Sequence, residues 1–160
     1  MKVITELKDV VKIKRFGSNI LDNYSSDGIL LGYNKDGLCT LINLKDFSYI
    51  YPGKWFREWK NFKNDDNVYI VTNSDNLKTL INKKDGSFVY NNSWYANWNS
   101  FKLGHEYYEV HLDNKVNFLR KDNGDLLFKN FVPNENIICY DYKNHRIFVL
   151  DDEKVCMYEA

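Results

Sequence analysis

TLINLKDFSYIY (Thr40–Tyr51) and TLINKKDGSFVY (Thr79–Tyr90) stand 39 positions apart and read almost as one sentence. Each holds two short apolar runs around a Lys-Asp turn. In the second copy that turn is Asp85-Gly86, and Asp-Gly between β-branched and aromatic residues signals a hairpin. In the first copy it is Asp46-Phe47, without the glycine. The same shift lays KWFREWKNF (Lys54–Phe62) on SWYANWNSF (Ser93–Phe101), so Trp55 meets Trp94, Trp59 meets Trp98, and Phe62 meets Phe101. NVYIVTNSDN (Asn67–Asn76) answers YYEVHLDN (Tyr107–Asn114).

A third copy begins at NFLRKDNGDLLF (Asn117–Phe128), with Asn123-Gly124 in its turn, and closes at RIFVLDDE (Arg146–Glu153). Between them, KNFVPNENIICY has lost both tryptophans and gained Pro133. A worn copy precedes the others. ILLGYNKDG (Ile29–Gly37) overlays VYIVTNSDN, and the shift places Phe16 at the Trp55 position and Ile20 at the Trp59 position. KVCMY (Lys154–Tyr158) restarts the unit once more. The chain therefore reads as one domain, 1–160, of repeat units at about 1–37, 38–76, 77–114 and 115–153 plus a terminal strand at 154–160.

Each unit reads as strand, strand, a short helical turn and a closing strand. The helical turn is expected because Trp55, Trp59 and Phe62 follow i, i+4, i+7 spacing. The fold class is all-β with minor helical turns. The array is expected to be open and twisted rather than a closed small propeller. A propeller commonly fastens its ends inside one shared blade, whereas here KVITEL already supplies the first unit's first strand.

With 160 residues, 44% of them hydrophobic and 16% aromatic, the chain can bury a core without staples and is not expected to be disordered. Lys+Arg and Asp+Glu are equal at 22, which argues against a nucleic-acid binder working through bulk charge. No apolar run is long enough to span a membrane, and MKVITELKDVVKIKRF has no apolar core like that of a signal peptide, so a cytoplasmic protein is expected. Cys39, Cys139 and Cys156 form no C-x-x-C pair and are expected to be buried free thiols in a reducing compartment. Abundant Asn, Lys, Tyr, Ile and Asp match AT-rich coding DNA, as in an AT-rich bacterium or its phage.

KVNFLRKDNGDLLF (Lys115–Phe128) and KTLINKKDGSFVY (Lys78–Tyr90) resemble the WG-repeat (KWG-repeat) family of bacterial and phage proteins, whose copies read roughly K-W-G-F-I-D-x-x-G-x-x-V. The resemblance covers nearly the whole chain. The Trp-Gly dipeptide itself is absent, with Thr79-Leu80 and Asn117-Phe118 in its region, so the chain resembles a divergent member. The resemblance implies a repeat scaffold for interactions and carries no catalytic motif.

Stacked repeats bury large aromatics at a fixed phase, which assigns Trp59, Trp98, Phe62 and Phe101 to the core. Two adjacent aromatics cannot both point inward from a helical turn. One of Trp55-Phe56 and one of Trp94-Tyr95 is thus expected near the surface, with Phe56 and Tyr95 as the partner-facing candidates. Lys54, Arg57, Lys60 and Lys63 recur every three residues beside the first copy's aromatics, while the second copy has Ser93, Ala96, Asn99 and Lys102. A feature that sister copies lack is not required by the repeat.

The candidate contact surface is therefore Lys54, Trp55, Phe56, Arg57, Lys60 and Tyr95. His105, His111 and His145 lack ligand spacing, His111 reading as a surface residue of a strand, so neither a metal nor another cofactor is expected. No nucleophile motif or phosphate loop occurs, carboxylates such as Asp65-Asp66 and Asp151-Asp152-Glu153 sit in turns, and DNGD (Asp122–Asp125) is too short for a calcium loop and lacks its distal Glu. The expected function is non-enzymatic binding of a protein partner. Its sharper form is an inhibitor of a host enzyme or defence complex, encoded by a phage or mobile element. Two alternatives stay open: glycan binding through exposed aromatics, and single-stranded nucleic-acid binding through the basic–aromatic stripe at 54–63.

Overall fold

The computed structural model describes residues 2–17, 28–100, 106–133, 137–141 and 143–159. Its compact units are Met1–Val89 and Tyr90–Ala160. Within the first, β1 (Lys12–Arg15), β2 (Ile29–Tyr33), β3 (Cys39–Asn43) and β4 (Ser48–Tyr49) form one antiparallel meander, and β5 (Glu58–Asn61), β6 (Val68–Thr72) and β7 (Lys78–Asn82) form another. Within the second, β8 (Asn97–Ser100), β9 (Tyr107–Leu112), β10 (Lys115–Arg120) and β11 (Val132–Pro133) form a third sheet. The fourth consists of β12 (Ile137–Asp141), β13 (Arg146–Asp151) and β14 (Lys154–Glu159).

The protein is an all-β tandem repeat array. Every sheet consists of consecutive strands, and none closes on itself. Among the described residues the strand pairing is thus open, without the shared first-and-last sheet that fastens a closed propeller. The sheets are offset from the units drawn on the sequence. The second sheet takes β5 and β6 from one unit and β7 from the next, so the first strand of each sequence unit completes the sheet before the one that its later strands form.

The expected helical turns are absent among the described residues. Glu58–Asn61 and Asn97–Ser100 are strands, pairing with β6 and β9, and Trp59 lies opposite Val71 as Trp98 lies opposite Val110. Trp55, Trp59 and Phe62 are aromatic for three separate reasons. Trp55 precedes the isolated bridge of Phe56 to Cys39, Trp59 lies within β5, and Phe62 follows the end of β5, its N–H donating to the Val68 carbonyl at 3.4 Å. The i, i+4, i+7 spacing is thus the sum of a link, a strand and an exit.

The same geometry corrects the first copy's register. The Phe16 N–H donates to the Ile29 carbonyl at 3.4 Å, the bond that Phe62 makes to Val68, so Phe16 is the counterpart of Phe62 rather than of Trp55. Ile13, opposite Gly32, takes the place of Trp59. The connection from Phe16 to Ile29 covers thirteen positions where Phe62 to Val68 covers six, and that insertion shifted the alignment. Ile20 lies outside the described residues.

Trp59 and Trp98 each sit in a repeated clasp. The Tyr51 ring stacks on Trp59 at 5.9 Å while its hydroxyl donates to the Lys83 carbonyl, and the Lys83 ammonium lies 4.7 Å over the Tyr69 ring. In the other unit, Tyr90 stacks on Trp98 at 6.0 Å and donates to the Lys121 carbonyl at 2.7 Å, with the Lys121 ammonium 4.6 Å over Tyr108. Phe56 and Tyr95 close the clasps against Trp59 and Trp98 at 5.3 and 5.4 Å. Trp59, Phe62 and Trp98 are buried as the repeat phase requires, and Phe101 lies outside the described residues. Cys39 is buried, but Cys139 is exposed on β12 and Cys156 is half-buried on β14, so burial describes one thiol of the three.

Candidate functional site

The candidate surface divides once the segment is a strand. Phe56 and Tyr95 are buried in the clasps, so the less buried member of each aromatic pair is the tryptophan. Trp55 and Trp94 are half-buried. Trp55 meets the Tyr49 ring edge-on at 5.8 Å. The Lys54 ammonium lies 4.3 Å over the Phe88 ring, which occupies it locally. Arg57 is exposed, held by its backbone N–H to the Thr72 carbonyl at 2.8 Å. Lys60 shares a strand face with Glu58 and pairs with it at 3.2 Å. Residues three apart align on a helix but fall on opposite faces of a strand, so the basic stripe of 54–63 does not form one row.

What the structure adds is a cleft of about 330 Å³ beside Trp55. Lys8, Asp9 and Val11 line it from the N-terminal segment, and Lys35 and Asp36 from the β2–β3 turn. That turn is fixed by Asn34, whose Oδ1 accepts from the Asp36 and Leu38 N–H groups at 3.0 Å each. Asn73 does the same for Asp75 and Leu77, at 2.9 and 3.0 Å. The turn belongs to the repeat, but Lys35 is particular to this copy, with Ser74 in its place 39 residues on. The Val11 N–H donates to the Tyr33 carbonyl as that of Arg57 donates to Thr72, so Lys8 and Asp9 stand where Lys54 and Trp55 stand in the next copy, a correspondence that the insertion after Phe16 concealed in the sequence.

The cleft thus presents one aromatic face among two cations and two anions. Below it, burial pushes the Tyr49 hydroxyl up from its ordinary pKa and the Asp9 carboxylate adds to the effect. Nearby Cys39 is a buried thiol. Burial pushes its thiol up to about 11, and its sulfur contacts the Arg57 carbonyl at 3.7 Å. Among the described residues no group of three or more His, Cys, Asp or Glu side chains could hold a metal ion. His111 is half-buried on β9, 2.9 Å from Glu109, while His105 lies outside the described residues. Turn carboxylates act on the backbone, as Asp65 accepting from the Asn67 N–H at 2.9 Å shows. No helix of the described residues is long and apolar enough to cross a membrane.

No protein-family model matches the chain, and no curated protein matches it. Solved structures with a similar course include the computationally designed Ika4 protein, at 11% identity and a TM-score of 0.41 over 84% of this chain and 86% of that one. A eukaryotic initiation factor aligns at 11% identity and 0.45, over 97% of this chain and 42% of that chain. The WD40 β-propeller domain of Doa1 aligns at 18% identity and 0.36, over 94% and 50%. The chain thus spans half or less of the last two. Likenesses this loose define neither a family nor a function.

Proposed function

We propose that the chain is a binding protein, a divergent WG-type repeat scaffold acting in the cytoplasm, and that it captures a segment of a protein partner at the Trp55 cleft. The observation that carries the reading is a half-buried tryptophan set between Lys8, Asp9, Lys35 and Asp36. A lone aromatic in a rim of charges suits an apolar anchor side chain flanked by polar ones, the pattern of an interface hot spot. Equal numbers of cations and anions favour a polypeptide over a nucleic-acid backbone, which calls for a basic surface. The sharper form, an inhibitor encoded by a phage or mobile element that occludes a host enzyme or defence complex, rests on small size and AT-rich residue usage.

The test is co-purification from the native host with the wild-type chain and with Trp55→Ala plus Lys35→Glu, both checked for an unchanged far-UV spectrum. A partner retained by the wild type and lost by the double variant supports the cleft, and an unchanged partner set removes it. If the partner is an enzyme, titrating in the chain lowers its activity in the inhibitor form and leaves it unchanged in a plain scaffold.

A further inference from the structure

The third strand of each earlier sheet (β3, β7 and β10) is covered along its outer edge by the chain that follows it. Ile42, Ile81 and Leu119 lie opposite Tyr49, Phe88 and Leu126. On one side of these pairs, the Ile50, Val89 and Leu127 N–H groups donate to the Leu41, Leu80 and Phe118 carbonyls at 3.0, 3.0 and 2.8 Å. On the other side the bond runs back. The Asn82 N–H donates to the Ser87 carbonyl and the Arg120 N–H to the Asp125 carbonyl, each at 2.8 Å. The covering segments read SYIY (Ser48–Tyr51), SFVY (Ser87–Tyr90) and DLLF (Asp125–Phe128). In each, the two middle residues are half-buried and the closing aromatic is buried.

The fourth sheet ends at the bare third strand. Tyr158 faces Ile147 as Leu119 faces Tyr108, so Met157, Tyr158 and Glu159 stand where Phe118, Leu119 and Arg120 stand. Among the described residues β14 pairs with β13 alone. The Met157 carbonyl and the Glu159 N–H, whose counterparts are bonded in the third sheet, therefore lie on an open edge. Met157 is 50% exposed where Phe118 is buried.

The start of the chain is a covering segment with no third strand before it. The Val11 N–H bonds the Tyr33 carbonyl as Arg57 bonds Thr72, both at 2.8 Å, which sets KVIT (Lys2–Thr5) at the place of SYIY (Ser48–Tyr51). Val10, further along, packs on Gly32 of β2. Lys2–Thr5 has no such cover. Val3 and Ile4 are 78% and 89% exposed where Tyr49 and Ile50 are half-buried. Among the described residues no strand includes Lys2–Thr5 and no backbone group of it is bonded.

We infer that Lys2–Thr5 of one copy adds as a strand to the outer edge of β14 in a second copy, with Val3 opposite Tyr158 and the Ile4 N–H donating to the Met157 carbonyl. The occupant is read from the chain itself, because three earlier edges of the same kind each hold the equivalent segment in one register. It comes from a second copy because each sheet of one chain consists of consecutive strands, which leaves the first segment and the last edge unpaired. In this register Lys2 meets Glu159, the pair that is Asp125 and Arg120 in the third sheet, so opposite charges face each other in both. The contact is a strand addition between unlike surfaces.

Proline separates the two halves. Ile4→Pro removes the donor of the segment at an exposed position. Met157→Pro sets a ring on the open edge, where a strand tolerates proline because that N–H faces solvent. In sedimentation velocity the average mass of the wild-type chain rises with concentration, while each variant alone, with an unchanged far-UV spectrum, sediments as a monomer. Mixed, the variants form a one-to-one dimer, because each retains the half that the other has lost. A labelled Lys2–Lys8 peptide raises its fluorescence anisotropy on the Ile4→Pro chain, whose β14 edge is intact, which tests the edge without the second variant. A wild-type chain that stays monomeric at every concentration overturns the inference, as closure within one chain would produce. An Ile4→Pro chain that still self-associates overturns it too, since the edge would then pair with something other than the segment. So does a mixture that stays monomeric, or a peptide that does not bind.

Discussion

At the scale of single residues, one buried position shows how far a repeat can drift in chemistry while keeping its geometry. Thr40, Thr79 and Asn117 are equivalent, facing Gly32, Val71 and Val110, and all three are buried. Asn117 is fully used. Its amide donates to the Phe128 carbonyl at 2.8 Å, and its oxygen accepts from the Phe118 and Phe128 N–H groups at 2.8 and 3.1 Å. The Thr40 and Thr79 hydroxyls are buried without a hydrogen-bond partner among the described residues. A buried hydroxyl with no partner destabilises, while a buried amide with three partners becomes costly only when removed. Thr79→Val is therefore expected to gain about 1 kcal/mol, and Asn117→Ala to lose about 2–4 kcal/mol through orphaned backbone groups on Phe128 and Phe118. Urea unfolding followed by tryptophan fluorescence measures both, and the two changes must have opposite signs. Nothing in the sequence separated these positions, because a Thr and an Asn in a strand betray neither burial nor partner.

At the scale of elements, turn chemistry was legible and the aromatic segment was not. Asp-Gly and Asn-Gly marked the hairpins because Gly86 and Gly124 adopt φ values of 76° and 79°, a region that favours glycine. The structure adds a second constraint that no local pattern carries. A Cβ on Gly86 would lie 2.5 Å from Tyr51 Cδ1, and one on Gly124 would lie 2.8 Å from Tyr90 Cδ1. Phe47 holds the same left-handed turn at φ 55°, and, once the insertion between Phe16 and Ile29 is counted, the residue in the place of Tyr51 is Thr5, which has no ring. The glycine was lost where no ring covers it. Gly86→Ala is expected to cost about 2–4 kcal/mol, from left-handed strain plus overpacking. In a Tyr51→Ala background, which removes the two closest atoms, Cδ1 and Cγ, the same change should cost only about 1–2 kcal/mol, mostly the backbone part. A double-mutant cycle tests this, and additive losses would show that the ring is not the constraint. The aromatic segment misled because a spacing common to helices arose from residues on three successive pieces of chain. Only the pairing partners of Trp59, which lie elsewhere in the sequence, reveal the strand.

At the scale of the molecule, the 39-residue repeat predicted layered sheets, and it did so because a single three- or four-stranded sheet cannot bury both faces alone. The site was less legible. Trp55 was visible as a conspicuous aromatic, but the charges around it come partly from Lys8 and Asp9, whose place in the repeat the insertion after Phe16 concealed. The cores, by contrast, are shared property of neighbouring layers. Within Tyr90–Ala160, Val116, Phe118, Ile147 and Val149 belong to one cluster although they come from two sheets. A small loss in one sheet should therefore be felt in the other. Ile147→Val removes one methylene from a fully buried site and is expected to cost about 0.5–1.5 kcal/mol. Native-state hydrogen exchange locates that loss. If the cluster binds the layers into one cooperative unit, amides of β10 and β13 lose protection by the same factor of about 2–13, the fold-change that this free energy represents. Faster exchange confined to β12, β13 and β14 would instead mean that the fourth sheet opens by itself, leaving the third to hold Phe118 and Val116 without it.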